Sequence, residues 1–273
     1  MPDVYANITE ASSEVLEVVA NVLEMRAIIP QQQEMLNTYL SDIEFPEQAR
    51  VLEVGCGTGP VCRVLATVPN VAEVVGVDPS TYLLDKAREL TTDAEQITYQ
   101  EANGKLLPFD EQSFDVVILH TLLTHVPEPD MILSEAHRVL RPQGWLGLCD
   151  GDFSTATLSI GDLDPLEACA KAFVEGFVND RWMVRRMSNL VQEAGFDVAP
   201  QRSYGLVETL DPGLTLSWVD RGADLLVNQG RISAELGEAL KAEGRRRVEQ
   251  KKFFGYMAYA SLVARKNSPE PYA

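Results

Sequence analysis

The chain alternates between short apolar runs and stretches in which apolar residues recur every three or four positions. Unbroken runs such as VVGV and VVILH are typical of strands that are buried on both faces of a sheet. Helical spacing fills the intervals between these runs. Strands that alternate with helices predict an α/β fold with a mainly parallel sheet. The predicted strands cover residues 51–54, 73–77, 97–100, 114–119, 145–149, 197–203 and 254–264, and the predicted helices cover 60–67, 82–90, 130–139 and, in two pieces, 165–194.

Two helical segments lie outside this alternation. Residues 1–45 predict an N-terminal helical lid, and residues 205–252 separate the last two strands by far more chain than a hairpin needs. We therefore expect a core of residues 46–204 and 253–266, with 205–252 as a helical cap insertion. The segment 267–273, which ends in NSPEPYA, is expected to be a disordered tail.

Length and charge narrow the classes of function. The 273 residues are enough for one large α/β domain with added caps, and the formal net charge is −18. Phosphate backbones repel such a surface, which argues against a nucleic-acid partner. The basic cluster around Arg245, Arg246 and Arg247 is either a solvated helix face or a patch for a substrate or acidic partner.

Other features predict a cytoplasmic protein. No apolar run approaches the roughly 20 residues that a membrane helix needs, and the first residues do not resemble a secretory signal. The four cysteines show no metal-binding spacing, so reduced thiols are expected. A homodimer is one oligomeric state that the sequence allows.

The segment VLEVGCGTG contains the strongest chemical signal in the chain. A predicted strand runs into three glycines, Gly55, Gly57 and Gly59, and a helix then begins at Pro60. Such a turn lets a ligand approach the backbone closely. The pattern is GxGxG, whereas dinucleotide enzymes carry GxGxxG. Asp78 ends the next strand, 19 residues after Gly59, where a carboxylate can accept hydrogen bonds from both hydroxyls of a ribose.

Four blocks in order carry a resemblance to a known family. VLEVGCGTG, VVGVDPS, LPFDEQSFDVVILH and HVPEPDMILSEAHRVLRPQGWLGL resemble class I S-adenosylmethionine-dependent methyltransferases. The subgroup is the one with the ubiquinone and menaquinone C-methyltransferases and many natural-product methyltransferases. The resemblance implies a doubly wound, seven-stranded mixed sheet whose last strand is antiparallel. It also implies S-adenosylmethionine as the cofactor, bound across the carboxyl ends of the first strands.

The resemblance also implies roles for individual residues. The glycines approach the methionine and ribose portions, Glu53 organises the loop or faces the methionine ammonium, and Asp78 takes the ribose. Asn103 stands where the family usually has an acidic residue that contacts the adenine amino group; a turn role is the alternative. The implied cofactor contacts are Glu53, Gly55, Cys56, Gly57, Gly59, Asp78, Pro79, Ser80, Asn103, Gly104, His120 and Thr121.

Methyl transfer from a sulfonium is an in-line displacement, so the enzyme mainly aligns the reactants and excludes water. His120, which follows the fourth strand, is the candidate general base or substrate contact; loop packing is the alternative. His125 fixes a loop or contacts substrate, and Asp150 is a turn residue or a contact to a polar substrate. In some class I methyltransferases, acidic residues after the fifth strand hold a divalent metal. This chain lacks the further acidic ligand that such a site needs, so we expect no metal.

Further substrate or lid candidates lie in the N-terminal segment and among the aromatic residues of the second half of the chain. Tyr5 and Arg26 are the candidates in the N-terminal segment, and Trp182 and Trp218 belong to a set of aromatic residues that line a substrate chamber or simply fill the core.

Three hypotheses of function follow. The first is methyl transfer to a small organic acceptor such as a quinone precursor, a polyketide or another secondary metabolite. The second keeps the cofactor but has a non-methylating or regulatory role. The third is a nicotinamide-dependent oxidoreductase, against which the missing sixth-position glycine speaks.

Overall fold

The computed structural model describes residues 3–92 and 94–267, and within them the chain forms one sheet of eight strands with helices on both faces. The strands are β1 (Ala49–Val54), β2 (Val71–Asp78), β3 (Ile97–Glu101), β4 (Phe114–His120), β5 (Leu140–Thr157), β6 (Phe196–Val198), β7 (Arg202–Glu208) and β8 (Gly255–Lys266). The helices are α1 (Ser13–Ala27), α2 (Pro30–Leu40), α3 (Pro60–Leu65), α4 (Thr81–Leu90), α5 (Pro129–Val139), α6 (Leu166–Phe177), α7 (Met183–Glu193), α8 (Gly213–Asn228) and α9 (Ala234–Glu249). Two short 3₁₀ helices span Tyr5–Glu10 and Leu123–His125.

The sheet order is β3-β2-β1-β4-β5-β8-β6, and β7 also pairs with β8. Strands β1 to β5 run parallel to one another, and β8 runs antiparallel to β5, β6 and β7. The predicted α/β class, with a mainly parallel sheet and an antiparallel last strand, is confirmed. The carboxyl ends of β1, β2 and β4 meet at one edge, which is where open α/β sheets bind ligands.

The sixth predicted strand, over 197–203, is wrong as a single strand. Val198 pairs with Ala264 and Arg202 with Ser261, so the chain advances four residues against three on β8. The extra residue falls between β6 and β7, where Pro200 has no N–H to donate to a ladder. This break turns the seven predicted strands into eight without changing the topology.

Strand β5 is longer than the predicted 145–149. It continues through Asp150 and Asp152, which pair with Ala260 and Ala258 of β8. The turn role considered for Asp150 is therefore wrong. The apolar run ends at Cys149, while antiparallel pairing with β8 extends the strand beyond it.

Helix α8 packs against α6, and α9 packs against α8. A Cβ added at Gly222 of α8 would lie 2.1 Å from the carbonyl oxygen of Cys169 on α6, so this glycine permits the close helix contact. Trp218 of α8 is 1% exposed and its ring stacks on Phe173, with 5.3 Å between centroids. The cap is therefore joined to the core by a buried aromatic cluster.

No helix in the described ranges is both long enough and apolar enough to cross a bilayer. The expected disordered tail, apart from Asn267, lies outside the described residues.

Candidate active site

A cavity of about 230 Å³ opens at the carboxyl ends of β1, β2 and β4 and is closed on one side by the N-terminal segment. Most of the predicted site residues line it. From the sheet edge and its loops these are Glu53, Gly55, Cys56, Gly57, Asp78, Pro79, Asn103, Gly104, His120, Thr121 and His125, and from the N-terminal segment Tyr5 and Arg26.

The glycine turn after β1 has left-handed backbone at all three glycines, with φ of 74° at Gly55, 54° at Gly57 and 77° at Gly59. A Cβ at Gly55 would lie 2.8 Å from Leu122, and one at Gly57 would lie 2.6 Å from Leu23. Both the conformation and the packing therefore require glycine here. Gly59 does not line the cavity, because it faces the hydroxyl of Tyr99 behind the turn, 2.2 Å from where its Cβ would be.

Asp78 connects the glycine turn to the end of β2. Its Oδ2 accepts from the N–H of Gly57 at 3.0 Å and its Oδ1 accepts from the N–H of Ser80 at 2.9 Å. Burial raises the pKa of this carboxyl to about 6, although the two hydrogen bonds act in the opposite direction. Each oxygen keeps a lone pair for a ligand hydroxyl. Ser80 itself lies outside the cavity, and its hydroxyl caps α4 by accepting from Leu83.

Glu53 is a second buried acid at the same edge. It is 2% exposed, and its Oε2 accepts from the Cys62 thiol at 2.8 Å. Burial raises the pKa of Glu53 to about 8, so the carboxyl is largely protonated at neutral pH. A cation placed beside it would favour the ionised form.

The turn after β3 contributes Asn103 and Gly104. The Oδ1 of Asn103 accepts from the N–H of Lys105 at 3.0 Å, which is the turn role considered in the sequence. The side chain is exposed and keeps acceptor capacity. A Cβ at Gly104 would lie 2.7 Å from Val54, so glycine lets this turn approach β1.

His120 and Thr121 end β4 beside the N-terminal helices. The Nδ1 of His120 is 3.1 Å from the hydroxyl of Tyr39, and Arg26 donates to the Thr121 hydroxyl at 2.8 Å. Burial, and secondarily Arg26, lower the pKa of His120 to about 3, so the imidazole is neutral at neutral pH. Thr121 has φ of 53°, which is strained for a β-branched residue. Sequence reasoning missed Tyr39, whose apolar helical spacing carries no functional signal.

A carboxylate near the N-terminus holds the 3₁₀ helix Tyr5–Glu10 over the cavity. Asp3 accepts from the ring of His125 at 2.7 Å, from the N–H of Tyr5 at 3.0 Å and from the N–H of Asn179 at 3.0 Å. The rings of Tyr5 and His125 lie 4.5 Å apart. Sequence reasoning proposed Tyr5 and His125 separately and missed Asp3, because nothing in the sequence pairs residues so far apart.

Three proposed substrate contacts lie away from the cavity. Asp150 accepts from the N–H and hydroxyl of Thr124, at 3.0 Å and 2.5 Å, and so shapes the loop after β4. Trp182 is 44% exposed, and the guanidinium groups of Arg181 and Arg185 lie over its ring. Trp218 is part of the cap core. In residues 3–92 and 94–267 no three His, Cys, Asp or Glu side chains are grouped to hold a metal ion.

The sheet order and the glycine turn fit the architecture that the resemblance in the sequence implies. Residues 52–148 match the family model described as "Methyltransferase domain". The chain therefore carries a methyltransferase domain, and its resemblance to class I S-adenosylmethionine-dependent methyltransferases is confirmed.

Two curated relatives cover the same region. A demethylmenaquinone methyltransferase of Tropheryma whipplei (strain Twist) is 38% identical over 100 residues, which are 37% of this chain and 41% of the relative. The methyltransferase GfsG of Streptomyces halstedii is 31% identical over 157 residues, which are 55% of this chain and 53% of the relative. The chain thus spans about half the length of these curated relatives.

Solved structures match over more of the chain. A putative methyltransferase of Bacillus halodurans aligns with a TM-score of 0.60 at 20% identity, covering 85% of this chain and 99% of its own. The [4+2]-cyclase SpnF aligns with a TM-score of 0.53 at 20% identity, covering 87% and 82%. At this identity the structures show a shared fold.

Proposed function

We propose that this protein transfers a methyl group from S-adenosylmethionine to a small organic acceptor. The observation that carries the proposal is that the methyltransferase domain and the cavity coincide. Residues 52–148 supply the glycine turn, Asp78, the turn at Asn103 and the end of β4, which together form the sheet side of the cavity.

The residues present fit a nucleoside sulfonium. Gly55 and Gly57 of the glycine turn line the same cavity as two buried acids, Glu53 and Asp78. We assign the ribose hydroxyls to Asp78 and the methionine ammonium to Glu53, whose ionised form the ammonium would favour. When bound, the sulfonium supplies an electrophilic methyl group. The chain's own contribution is to bind, orient and exclude water.

We assign His120 to the acceptor. With the Tyr39 hydroxyl on Nδ1, the ring offers Nε2 either as a donor or as an acceptor, depending on the tautomer. Because the pKa of His120 is low, its imidazole is neutral and acts as a hydrogen-bonding partner of the methyl acceptor. The imidazole would become more basic only beside a methyl acceptor that is developing negative charge.

The acceptor class remains the one inferred from sequence, namely a quinone precursor, a polyketide or another secondary metabolite. The named activity of the Tropheryma relative supports a small-molecule acceptor for this chain as well. Lid and cap roles for residues 1–45 and 205–252, a cytoplasmic location and a homodimeric state stay predictions.

The test has two measurements. Calorimetry should show S-adenosylhomocysteine binding to the protein, and incubation of acceptor extracts with S-adenosylmethionine should yield a product heavier by one methylene. His120→Ala should lower turnover by about a hundredfold or more, the lower range for a lost general acid or base, with cofactor affinity little changed. A variant that loses cofactor affinity as strongly as turnover would contradict the assignment of His120 to the acceptor.

The second candidate is a cofactor-binding protein that does not methylate. The observation in its favour is that the fold also occurs in a protein described as a [4+2]-cyclase. Tight binding of S-adenosylhomocysteine with no mass gain in any extract would favour this candidate. A larger thermal shift with NAD than with S-adenosylhomocysteine would instead favour the oxidoreductase hypothesis.

A further inference from the structure

A second chamber adjoins the cofactor cavity on the side of the N-terminal helices. Its volume is about 140 Å³, and Arg26 and His120 line both spaces. The remaining lining combines apolar side chains with three amides, those of Gln32, Gln33 and Asn37. An apolar cavity of about 150 Å³ is known to hold one benzene ring, so the second chamber suits a part of a molecule of that size.

Arg26 is an uncompensated cation at the junction of the two spaces. Its Nη2 donates to the Thr121 hydroxyl, and in the part of the chain that the structure describes it forms no ion pair. Arg63, on the neighbouring helix α3, instead pairs with Glu24 at 2.7 Å. In a chain with a formal charge of −18, a half-buried guanidinium without a carboxylate is a site for an external anion.

Gln32 supplies an independent indication of a ligand. Its side chain is 4% exposed and lines the second chamber, away from the cofactor cavity. Although its amide lies beside the Tyr259 hydroxyl, neither Nε2 nor Oε1 has a hydrogen bond of ordinary geometry. A buried amide without partners is destabilising, so a polar ligand group in the chamber would satisfy it.

We propose that the second chamber binds a carboxylate-bearing part of the methyl acceptor, with Arg26 pairing with the carboxylate and the Gln32 amide completing its hydrogen bonds. The inference rests on the proposed function and adds the chemical class of the acceptor. Because His120 lines both spaces, the acceptor would reach the cofactor past its imidazole. The guanidinium also faces the cofactor cavity, so the competing partner for Arg26 is the carboxylate of the cofactor's methionine portion.

The experiment separates these two partners with small probes. Protein saturated with S-adenosylhomocysteine is titrated with benzoate and, separately, with its neutral isostere benzamide. The variants are Arg26→Gln, Arg26→Lys and Gln32→Leu. The matched control is Arg88→Gln, which removes the same charge from an exposed ion pair with Asp85 on α4. The affinity for S-adenosylhomocysteine is measured for every variant.

We expect benzoate to bind at least tenfold more tightly than benzamide to the unmodified protein and to Arg88→Gln. Arg26→Gln should abolish that preference, Arg26→Lys should keep part of it, and all variants should bind S-adenosylhomocysteine within about twofold, since an intact cofactor site is the premise. Gln32→Leu should weaken benzoate several-fold while raising the melting temperature of the ligand-free protein, because the unpartnered amide is removed.

Three outcomes would overturn the proposal. Equal or undetectable binding of benzoate and benzamide would show that the chamber does not select a carboxylate. A loss of S-adenosylhomocysteine affinity in Arg26→Gln would assign the guanidinium to the cofactor. A lower melting temperature for Gln32→Leu would show that the amide is structural. Failure of the unmodified protein to bind S-adenosylhomocysteine would instead contradict the proposed function.

Discussion

Single side chains in this site are controlled by burial more than by charge pairs. Glu53, Asp78 and His120 are each less than one-tenth exposed, and burial is the largest cause of every pKa shift among them. The pKa values of the two acids shift upward and that of the histidine shifts downward, so burial displaces all three groups toward their neutral forms. Asp78, with a pKa of about 6, is still mostly ionised at pH 7, whereas a cation beside Glu53 would be needed to ionise that carboxyl.

Asp78→Ala should weaken binding of S-adenosylhomocysteine by about 1–3 kcal/mol, the scale for losing hydrogen bonds to a charged group. Isothermal calorimetry measures the change. Asp85→Ala is the matched control, because that carboxylate lies exposed on α4, pairs with Arg88 and does not line the cavity. Equal affinities in Asp78→Ala and the unmodified protein would reject the ribose assignment.

Glu53 predicts a pH dependence of stability. Its pKa in the folded protein, about 8, lies above the unfolded value of 4.5, so the folded state holds a proton that the unfolded state has released. Stability should therefore fall as pH rises through this interval, by up to about 1.4 kcal/mol per pH unit. The contributions of Asp78 and His120 fade above pH 6.5, since neither group has a pKa above 6.5 in the folded or unfolded protein, and Glu53→Gln shares them with the unmodified protein.

Urea unfolding of the unmodified protein and of Glu53→Gln between pH 6.5 and pH 8 measures this contribution. Glu53→Gln should show a flatter dependence, because the amide cannot titrate. Parallel curves for the two proteins would mean that Glu53 is not held protonated.

At the scale of elements, the cavity is completed by segments that are remote in sequence. Strands β1, β2 and β4 supply its sheet side, and the 3₁₀ helix Tyr5–Glu10 covers it through the contacts of Asp3 with His125 and Asn179. Helices α1 and α2 add Arg26 and Tyr39. The chemical character of the edge thus depends on how firmly the N-terminal segment is attached.

Asp3→Ala should release this segment, because three donors lose their acceptor at a cost of about 1–3 kcal/mol. Hydrogen exchange of the amides in Tyr5–Glu10 should become faster, and S-adenosylhomocysteine should bind more weakly, since Tyr5 lines the cavity. The control is Glu14→Ala, an exposed acid in the first turn of α1. Unchanged exchange in Asp3→Ala would contradict the attachment.

At the scale of the molecule, one hydrophobic core extends from the sheet into the cap. The largest buried cluster includes β1 residues such as Val51, residues of α2 such as Tyr39, and Trp218 of α8. The cap helices therefore share the core of the sheet.

Trp218→Ala should lower the free energy of unfolding of the whole protein by about 3–5 kcal/mol, the usual cost of deleting a large buried aromatic side chain. The folded variant should keep its affinity for S-adenosylhomocysteine, because Trp218 does not line the cavity. Chemical denaturation and calorimetry test the two statements. A stable variant with impaired turnover would restore Trp218 as a substrate contact.

The sequence alone determined the fold class, the glycine turn and the acids at the ends of β1 and β2. These are local features, since apolar periodicity reports burial and a strand–glycine–helix segment needs only neighbouring residues. The tertiary structure decided that Gly59 faces Tyr99, that Trp218 belongs to the core, and that Tyr39, Gln32 and Asp3 reach the site. Such placements depend on contacts between residues 40 to more than 170 positions apart, and no local pattern encodes which side chains meet across such distances.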